Sequence, residues 1–201
     1  MKSLPVFIVL IFCLSLTASD STQTSSIDFS VMKPCLLVID IQNQYLKYIP
    51  EREKLLGMEM INALINFFRE QGYPVIRVYN THPEWGPKPD SELFEFPESV
   101  AIEASDPKII KNYPSAFKKT ELNEMLKQKE RNTLFLCGLS AVGCVLATYF
   151  DAQNYEYDVF MIRDAIMSHN SEYTDFVEEI FNTVNATSLQ VMLKYAEKNS
   201  K

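Results

Sequence analysis

The sequence has few of the features that mark metal-binding, nucleic-acid-binding or disulfide-rich proteins. Its 201 residues include only two histidines and four cysteines, and no Cys-x-x-Cys pair or Cys/His spacing of a zinc site occurs. No cluster of lysine and arginine is present, and the formal net charge is −7. This charge balance argues against nucleic acid and anionic membranes as partners. Internal repeats and low-complexity blocks are also absent, so the composition favours one globular domain.

The first residues show the pattern of a secretory signal peptide. Lys2 precedes an apolar run over 4–16, and small residues follow it. This run is shorter than the roughly 20 residues that a membrane-spanning helix needs. We therefore predict a signal peptide over 1–19, a flexible lead-in over 20–32 and a single domain over 33–201. The protein is expected to be secreted or to reside in the lumen of the secretory pathway, without membrane contact once the signal is removed. A retained signal anchor is the alternative.

Three cysteines lie outside the predicted signal peptide: Cys35, Cys137 and Cys144. Because three is an odd number, at least one thiol is expected to stay free. Cys35 and Cys137 lie inside apolar, strand-like runs and are interpreted as small core residues. Cys144 differs from them, because it lies where a strand-like segment gives way to a helical one.

Strand-like and helix-like segments alternate along the chain. Short apolar runs of strand length occur over 35–40, 74–80, 109–111, 132–138 and 157–164. Helical spacing of apolar residues follows over 55–68, 122–126, 139–153 and 173–181. The segment 188–193 is interpreted as a last strand. Because parallel strands require crossover connections, we predict an α/β fold: a three-layer αβα sandwich with a mainly parallel, doubly wound sheet of about six strands.

Three chemically suitable side chains follow strands of this predicted sheet. Asp40 closes the first strand, Lys111 closes the third, and Cys144 lies just past the fourth. In a parallel sheet these ends share one rim, where ligands bind. A helix N-terminus and a nearby cation favour a thiolate, and a carboxylate can carry its proton. Taken singly, such residues are usually a core cysteine, a turn-forming aspartate and a solvated lysine. Because all three follow strands of the sheet, the hypothesis that Cys144 is a nucleophile has the same weight as these structural interpretations.

Four segments carry a resemblance to a known family. They are "LLVIDIQNQYL" (36–46), "KNYPSAFKKTELNEML" (111–126), "CGLSAVGCVLATYFDA" (137–152) and "VFMIRDAIMS" (159–168). In this order and spacing they resemble the isochorismatase-like cysteine hydrolases, and within them the amidase branch of nicotinamidase-related amidohydrolases.

The resemblance implies roles for particular residues. It implies a catalytic triad of Asp40, Lys111 and Cys144, the same residues that the strand-end argument selects. It also implies a non-proline cis peptide at Leu139–Ser140, and an oxyanion hole formed by the backbone N–H groups of Ser140 and Cys144. Relatives in this family often form dimers or tetramers, so a homo-oligomer is expected, and no cofactor is implied.

The loop after the second strand departs from the nicotinamidase pattern. The metal-binding Asp-x-His of those enzymes is replaced by Asn80-Thr-His82, and no second histidine follows in the loop. A zinc site normally needs at least three protein ligands. We therefore predict no metal, and nicotinamidase activity is not favoured.

Four side chains are candidates for contact with a flat substrate: Tyr45, His82, Trp85 and Phe94. The equally weighted alternative is that the aromatic residues only pack the long loop. The predicted function is a secreted cysteine hydrolase that cleaves a C–N bond of a small amide or ureido compound through a thioester. The alternative is a catalytically silent family member that acts as a small-molecule binding or assembly protein.

Overall fold

A computed structural model describes residues 32–199 of the chain. The predicted signal peptide (1–19) and nearly all of the predicted lead-in (20–32) lie outside the described residues. The strands are β1 (Pro34–Ile39), β2 (Val75–Asn80), β3 (Lys108–Lys111), β4 (Thr133–Leu139), β5 (Asp158–Met167) and β6 (Thr183–Val184). The helices are α1 (Asn43–Leu46), α2 (Glu51–Glu70), α3 (Leu122–Gln128), α4 (Leu146–Asn154), α5 (Ser171–Ile180) and α6 (Ala186–Asn199).

All six strands form one parallel sheet in the order β3-β2-β1-β4-β5-β6. The chain builds outward from β1 through β2 to β3, then returns to the other side of β1 and continues through β4 to β6. This reversal places a topological switch point between β1 and β4. Crevices at the carboxyl ends of strands at such a point are where open α/β sheets bind ligands. The predicted doubly wound α/β fold is confirmed.

Apolar layers cover both faces of the sheet. Leu36 and Val38 of β1 belong to the layer packed under α2 and α6, whereas Leu37 and Ile39 belong to the layer under α3, α4 and α5. All six residues of β1 are buried, which explains why its sequence is continuously apolar rather than alternating. Within residues 32–199, no helix has the length and apolarity needed to cross a membrane.

The prediction of a strand over 188–193 is wrong, because this segment lies within α6. Leu189, Met192, Leu193 and Ala196 are all buried, at spacings of one, three and four residues along one face of the helix. A six-residue apolar window does not distinguish this helical period from a strand. The last strand is instead the two-residue β6, which lies just before the helix.

Gly138 is required where β4 passes closest to β1. Its φ is +112°, a conformation that favours glycine, and an added Cβ would overlap the backbone carbonyl oxygen of Ile39. Gly72, after α2, has φ +73° but no atom within 4 Å of an added Cβ. A substitution at Gly72 would therefore add backbone strain alone, whereas one at Gly138 would add both strain and steric overlap.

We expect Gly138→Ala to lower the free energy of unfolding by about 3 kcal/mol or more, because strain and overlap combine. Gly72→Ala, the matched control, should cost about 1 kcal/mol because it adds strain alone. Urea denaturation of both variants measures the difference. Equal losses would contradict the close packing of β4 against β1.

Candidate active site

The fold brings the three predicted catalytic side chains to one rim of the sheet. Asp40 directly follows β1, Lys111 ends β3, and Cys144 lies in the distorted helical turn Ala141–Val145 that links β4 to α4. The Lys111 Nζ donates to Asp40 Oδ2 over 2.7 Å, and this ion pair reaches across the intervening strand β2. Its two side chains are only 0% and 3% exposed, so water does little to screen the pair.

Asp40 leaves the strand in the left-handed region, with φ at 53°. Aspartate is among the few non-glycine residues that adopt this conformation readily. Its backbone N–H still donates to the Val78 carbonyl over 2.9 Å, which continues the β1–β2 pairing by one residue. The carboxyl oxygen Oδ1 is buried and has no hydrogen-bond partner among the described residues. That oxygen is therefore available to accept a proton.

Burial and the ion pair shift the pKa values of both partners. Burial raises the pKa of the Asp40 carboxyl above its usual value, although the charge of Lys111 and contact with the Cys144 thiol oppose this. Burial lowers the pKa of Lys111, but the charges of Asp40 and Cys144 outweigh it, so the net pKa is raised. The lysine therefore stays positively charged, and the carboxylate is more basic than an ordinary aspartate.

The surroundings of Cys144 favour the protonated thiol over the thiolate. Burial, followed by the negative charge of Asp40, raises its pKa to about 12, and the charge of Lys111 opposes the rise only partly. Lys111 lowers the pKa of the thiol, as expected of a nearby cation, but burial and the Asp40 carboxylate outweigh it. Cys35 and Cys137 are fully buried core residues, as the sequence indicated.

The turn that carries Cys144 is held by short polar contacts. The Ser140 carbonyl accepts from the N–H groups of Gly143 and Val145 at 2.8 and 3.2 Å. The Cys144 carbonyl accepts from Thr148 Oγ1 at 2.7 Å. The Leu139–Ser140 peptide is cis, as the family resemblance implied. The predicted oxyanion donors, the N–H groups of Ser140 and Cys144, thus belong to a fixed turn beside the cavity.

Two buried polar side chains of the site escaped the sequence analysis. Gln42 is fully buried and makes two hydrogen bonds with the backbone of Asn80: its Oε1 accepts from the Asn80 N–H at 2.7 Å, and its Nε2 donates to the Asn80 carbonyl at 3.0 Å. The Asn80 Oδ1 accepts from the His82 N–H at 2.9 Å, so its Nδ2 is the group turned toward the Cys144 sulfur, 3.9 Å away. Asn80 pairs with Lys111 in the β2–β3 register. Its place at the end of a predicted strand, next to Lys111, is the feature from which the sequence could have indicated a site residue.

A cavity of about 540 Å³ opens beside Cys144. Its lining residues are Asp40, Tyr45, Tyr48, Ile49, Asn80, Trp85, Pro114, Leu139, Ser140, Gly143, Cys144 and His169. The hydroxyl of Tyr45 is buried without a hydrogen-bond partner among the described residues. Burial, with the charges of Asp40 and Cys144, raises the pKa of this phenol, which therefore remains a donor.

The four predicted substrate contacts lie in different places. Tyr45 and Trp85 line the cavity, and their rings meet edge to face at 6.4 Å. His82 lies outside the lining and stacks on Trp85 at 4.2 Å. The prediction for Phe94 is wrong: it is 1% exposed and packs in the core against Tyr79, 5.0 Å between ring centres. An aromatic residue in a long loop can bury itself in either place, and the loop sequence does not distinguish them.

Comparison with known proteins places this geometry in a family. The model of the isochorismatase domain matches residues 34–190. The chain belongs to the isochorismatase family. The uncharacterized family protein YrdC of Bacillus subtilis is 31% identical over 138 residues, which cover 66% of this chain and 73% of YrdC.

Two solved structures of the isochorismatase family or its neighbours superpose on most of the chain. An isochorismatase-like hydrolase from Alkaliphilus metalliredigens has a TM-score of 0.71 at 19% identity, covering 80% of this chain and 97% of that one. The N-carbamoylsarcosine amidase of Thermoplasma acidophilum has a TM-score of 0.65 at 26% identity, covering 77% of this chain and 95% of the other.

Potential metal ligands are not clustered in the part of the chain that the structure describes. Among residues 32–199, no group of three or more histidine, cysteine, aspartate or glutamate side chains is placed to hold a metal ion. The last residue of β2, where the metal-binding Asp-x-His of the nicotinamidase pattern would begin, is Asn80, whose amide contacts the His82 N–H and the Cys144 sulfur.

Replacing Asn80 by aspartate tests whether its amide supports the sulfur. Asn80→Asp keeps the acceptor for the His82 N–H but replaces the donor beside Cys144 with a negative charge. We expect the pKa of the thiol to rise further and alkylation of Cys144 by iodoacetamide to slow about tenfold, since one pKa unit changes the thiolate fraction tenfold. Asn80→Ser, which keeps a donor without adding charge, is the control and should slow alkylation less. Equal rates in wild type and Asn80→Asp would show that the amide has no influence on the sulfur.

Proposed function

We propose that this protein is a cysteine amidohydrolase that cleaves the C–N bond of a small amide or ureido compound through a thioester intermediate. The observation that carries the proposal is the buried Asp40–Lys111 ion pair beside the thiol of Cys144, with Asp40 and Cys144 both lining one cavity. The similarity to an N-carbamoylsarcosine amidase supports the same reaction class. The N-terminal sequence pattern supports a secreted or lumenal location for the reaction.

The first half-reaction forms the thioester. The Cys144 thiol gives its proton to Asp40 as the sulfur attacks the carbonyl carbon of the substrate. The carbonyl oxygen becomes an oxyanion, which accepts hydrogen bonds from the backbone N–H groups of Ser140 and Cys144. The C–N bond then breaks, and Asp40 returns the proton to the departing ammonia or amine.

The second half-reaction restores the thiol. Asp40 removes a proton from a water molecule, which attacks the thioester carbon, and the C–S bond breaks. The product acid leaves, and the proton held by Asp40 returns to the Cys144 sulfur. Lys111 does not exchange protons in this scheme, because its pKa is raised. It keeps one oxygen of Asp40 fixed while the unpartnered Oδ1 carries the proton.

The pKa shifts suit a transfer that is concerted with attack. A thiol with a pKa of about 12 does not ionise alone near neutral pH. The raised pKa of Asp40 lies closer to the pKa of the thiol, so the carboxylate is a better base for this proton than an ordinary aspartate. The proton therefore moves as the sulfur binds the substrate carbon.

Loss of the Cys144 sulfur should abolish turnover without unfolding the protein. We expect Cys144→Ala to reduce ammonia release from a panel of small amides and ureido compounds by at least about 1,000-fold, as for removal of other nucleophiles. Circular dichroism checks that the fold is retained. Cys35→Ala, which removes a thiol from the core of β1, should keep most of the activity. Unchanged turnover in Cys144→Ala would refute the mechanism, and a wild type inactive on every compound would favour a silent binding protein.

The pH dependence of kcat/KM should report the Asp40 carboxyl. Activity requires the ionised form, so it falls as the pH drops through the pKa of Asp40. Because that pKa is raised, the acid limb should lie above about pH 3.9, the ordinary value for aspartate. Lys111→Met removes the charge that opposes the shift, so its residual activity should be lost at a still higher pH. An acid limb at or below the ordinary value in both proteins would contradict Asp40 as the base.

A further inference from the structure

From the chemistry of the cavity walls, we infer that the substrate is an uncharged amide without a carboxylate, and that the lack of a permanent cation at the position of His169 determines this specificity. The inference rests on the proposed amidohydrolase function, because it takes the cavity beside Cys144 as the substrate site. It concerns the part of the substrate that does not react.

The cavity offers no fixed positive charge to a substrate. None of the lining residues is lysine or arginine within the part of the chain that the structure describes. Lys111 lies close to the site, but its side chain is 0% exposed and its ammonium is held by Asp40. A substrate carboxylate would therefore enter without an ionic partner.

The acidic lining residue, Asp40, is compensated by Lys111, so the pair leaves no spare positive charge for a ligand. Most of the remaining wall is aromatic or aliphatic: Tyr45, Tyr48, Ile49, Trp85, Pro114 and Leu139. Such a wall removes water from a bound ligand, and an ionised carboxylate loses much solvation free energy there unless a cation replaces the water. Walls of this kind select against anions.

The free polar groups of the cavity suit an uncharged acceptor. The buried Tyr45 hydroxyl has no partner among residues 32–199, and its raised pKa keeps it protonated. It can donate one hydrogen bond to a carbonyl or ring nitrogen of the ligand. Neutral donors of this kind fix a ligand in place without attracting an anion as strongly as arginine does.

His169 is the lining residue that could change this selectivity. It follows β5, lines the cavity and is exposed. Its ring contacts Tyr173 edge-on at 5.4 Å, and no hydrogen bond or ion pair holds its nitrogens within the described chain. Its exposed position beside the apolar wall has room for a longer side chain that reaches the ligand. An arginine at this place would supply the missing permanent cation.

The number of ammonia molecules released from a single compound tests the inference. Isophthalamide carries two identical amides on a flat ring, and its first hydrolysis gives 3-carbamoylbenzoate, which has nearly the same shape but a negative charge. At about pH 8 we expect one ammonia per molecule, with kcat/KM for 3-carbamoylbenzoate at least about 100-fold lower than for isophthalamide. Release of two ammonia molecules at similar rates would overturn the inference and leave the amidohydrolase function standing.

A binding measurement covers the case in which isophthalamide is not hydrolysed. Isophthalamide should then protect Cys144 from iodoacetamide, whereas 3-carbamoylbenzoate at the same concentration should not. Equal protection by both, or protection by neither, would overturn the inference. Absence of ammonia from this and every other amide would instead count against the proposed function.

The His169→Arg variant tests the role of that residue. We expect at least a tenfold gain in kcat/KM for 3-carbamoylbenzoate relative to isophthalamide, and release of a second ammonia. Phe176→Arg is the matched control, because Phe176 is exposed on the nearby helix α5 and lies outside the cavity lining. It should leave the ratio unchanged. The same ratio in wild type and His169→Arg would remove His169 as the specificity determinant.

Discussion

The ion pair between Lys111 and Asp40 is the interaction on which the site depends. It joins the ends of β3 and β1 across β2, inside a protein interior that excludes water from both charges. Removing one partner of such a pair leaves an uncompensated buried charge, which typically costs 3–5 kcal/mol. The pair also gives the two oxygens of the Asp40 carboxyl group different roles. Oδ2 is fixed by the lysine, and Oδ1 stays unpartnered and able to take a proton.

The end of β2, the strand between the two charges, is held by the side chain of Gln42, which makes the hydrogen bonds that a strand backbone would make. Beyond Ile39, the β1 main chain turns away from the sheet at Asp40. The amide of Gln42 then supplies a donor and an acceptor to the main chain of Asn80, as a neighbouring strand would. The end of β2 therefore remains straight for one more residue. This extension brings the Asn80 amide to 3.9 Å from the Cys144 sulfur, so a glutamine in the loop after β1 helps to position the donor beside the nucleophile.

Sequence patterns predicted the parts of this arrangement that follow from topology. The parallel sheet requires that strand ends share a rim, so Asp40, Lys111 and Cys144 could be brought together from their positions alone. Whether an aromatic side chain packs into the core or lines a cavity depends on the tertiary structure. For this reason the sequence assigned Tyr45 and Trp85 correctly to the cavity but Phe94 wrongly. The assignment of 188–193 failed for a local reason, because a short apolar run has no decisive period. The protonation of Cys144 depends on how burial and the opposing charges of Asp40 and Lys111 balance, and the sequence does not give that balance.

A protonated resting thiol also bears on how such a sulfur survives. Oxidation of cysteine proceeds through the thiolate and requires access, so susceptibility follows both. Cys144 is accessible from the cavity, but its pKa of about 12 leaves almost no thiolate near neutral pH. Rapid reaction then requires a carbonyl carbon close enough for attack and proton transfer to occur together, whereas iodoacetamide reacts only with the small thiolate fraction. For a protein proposed to act outside the reducing cytosol, we expect the burial that raises the pKa of this thiol to slow oxidation of the nucleophile between turnovers.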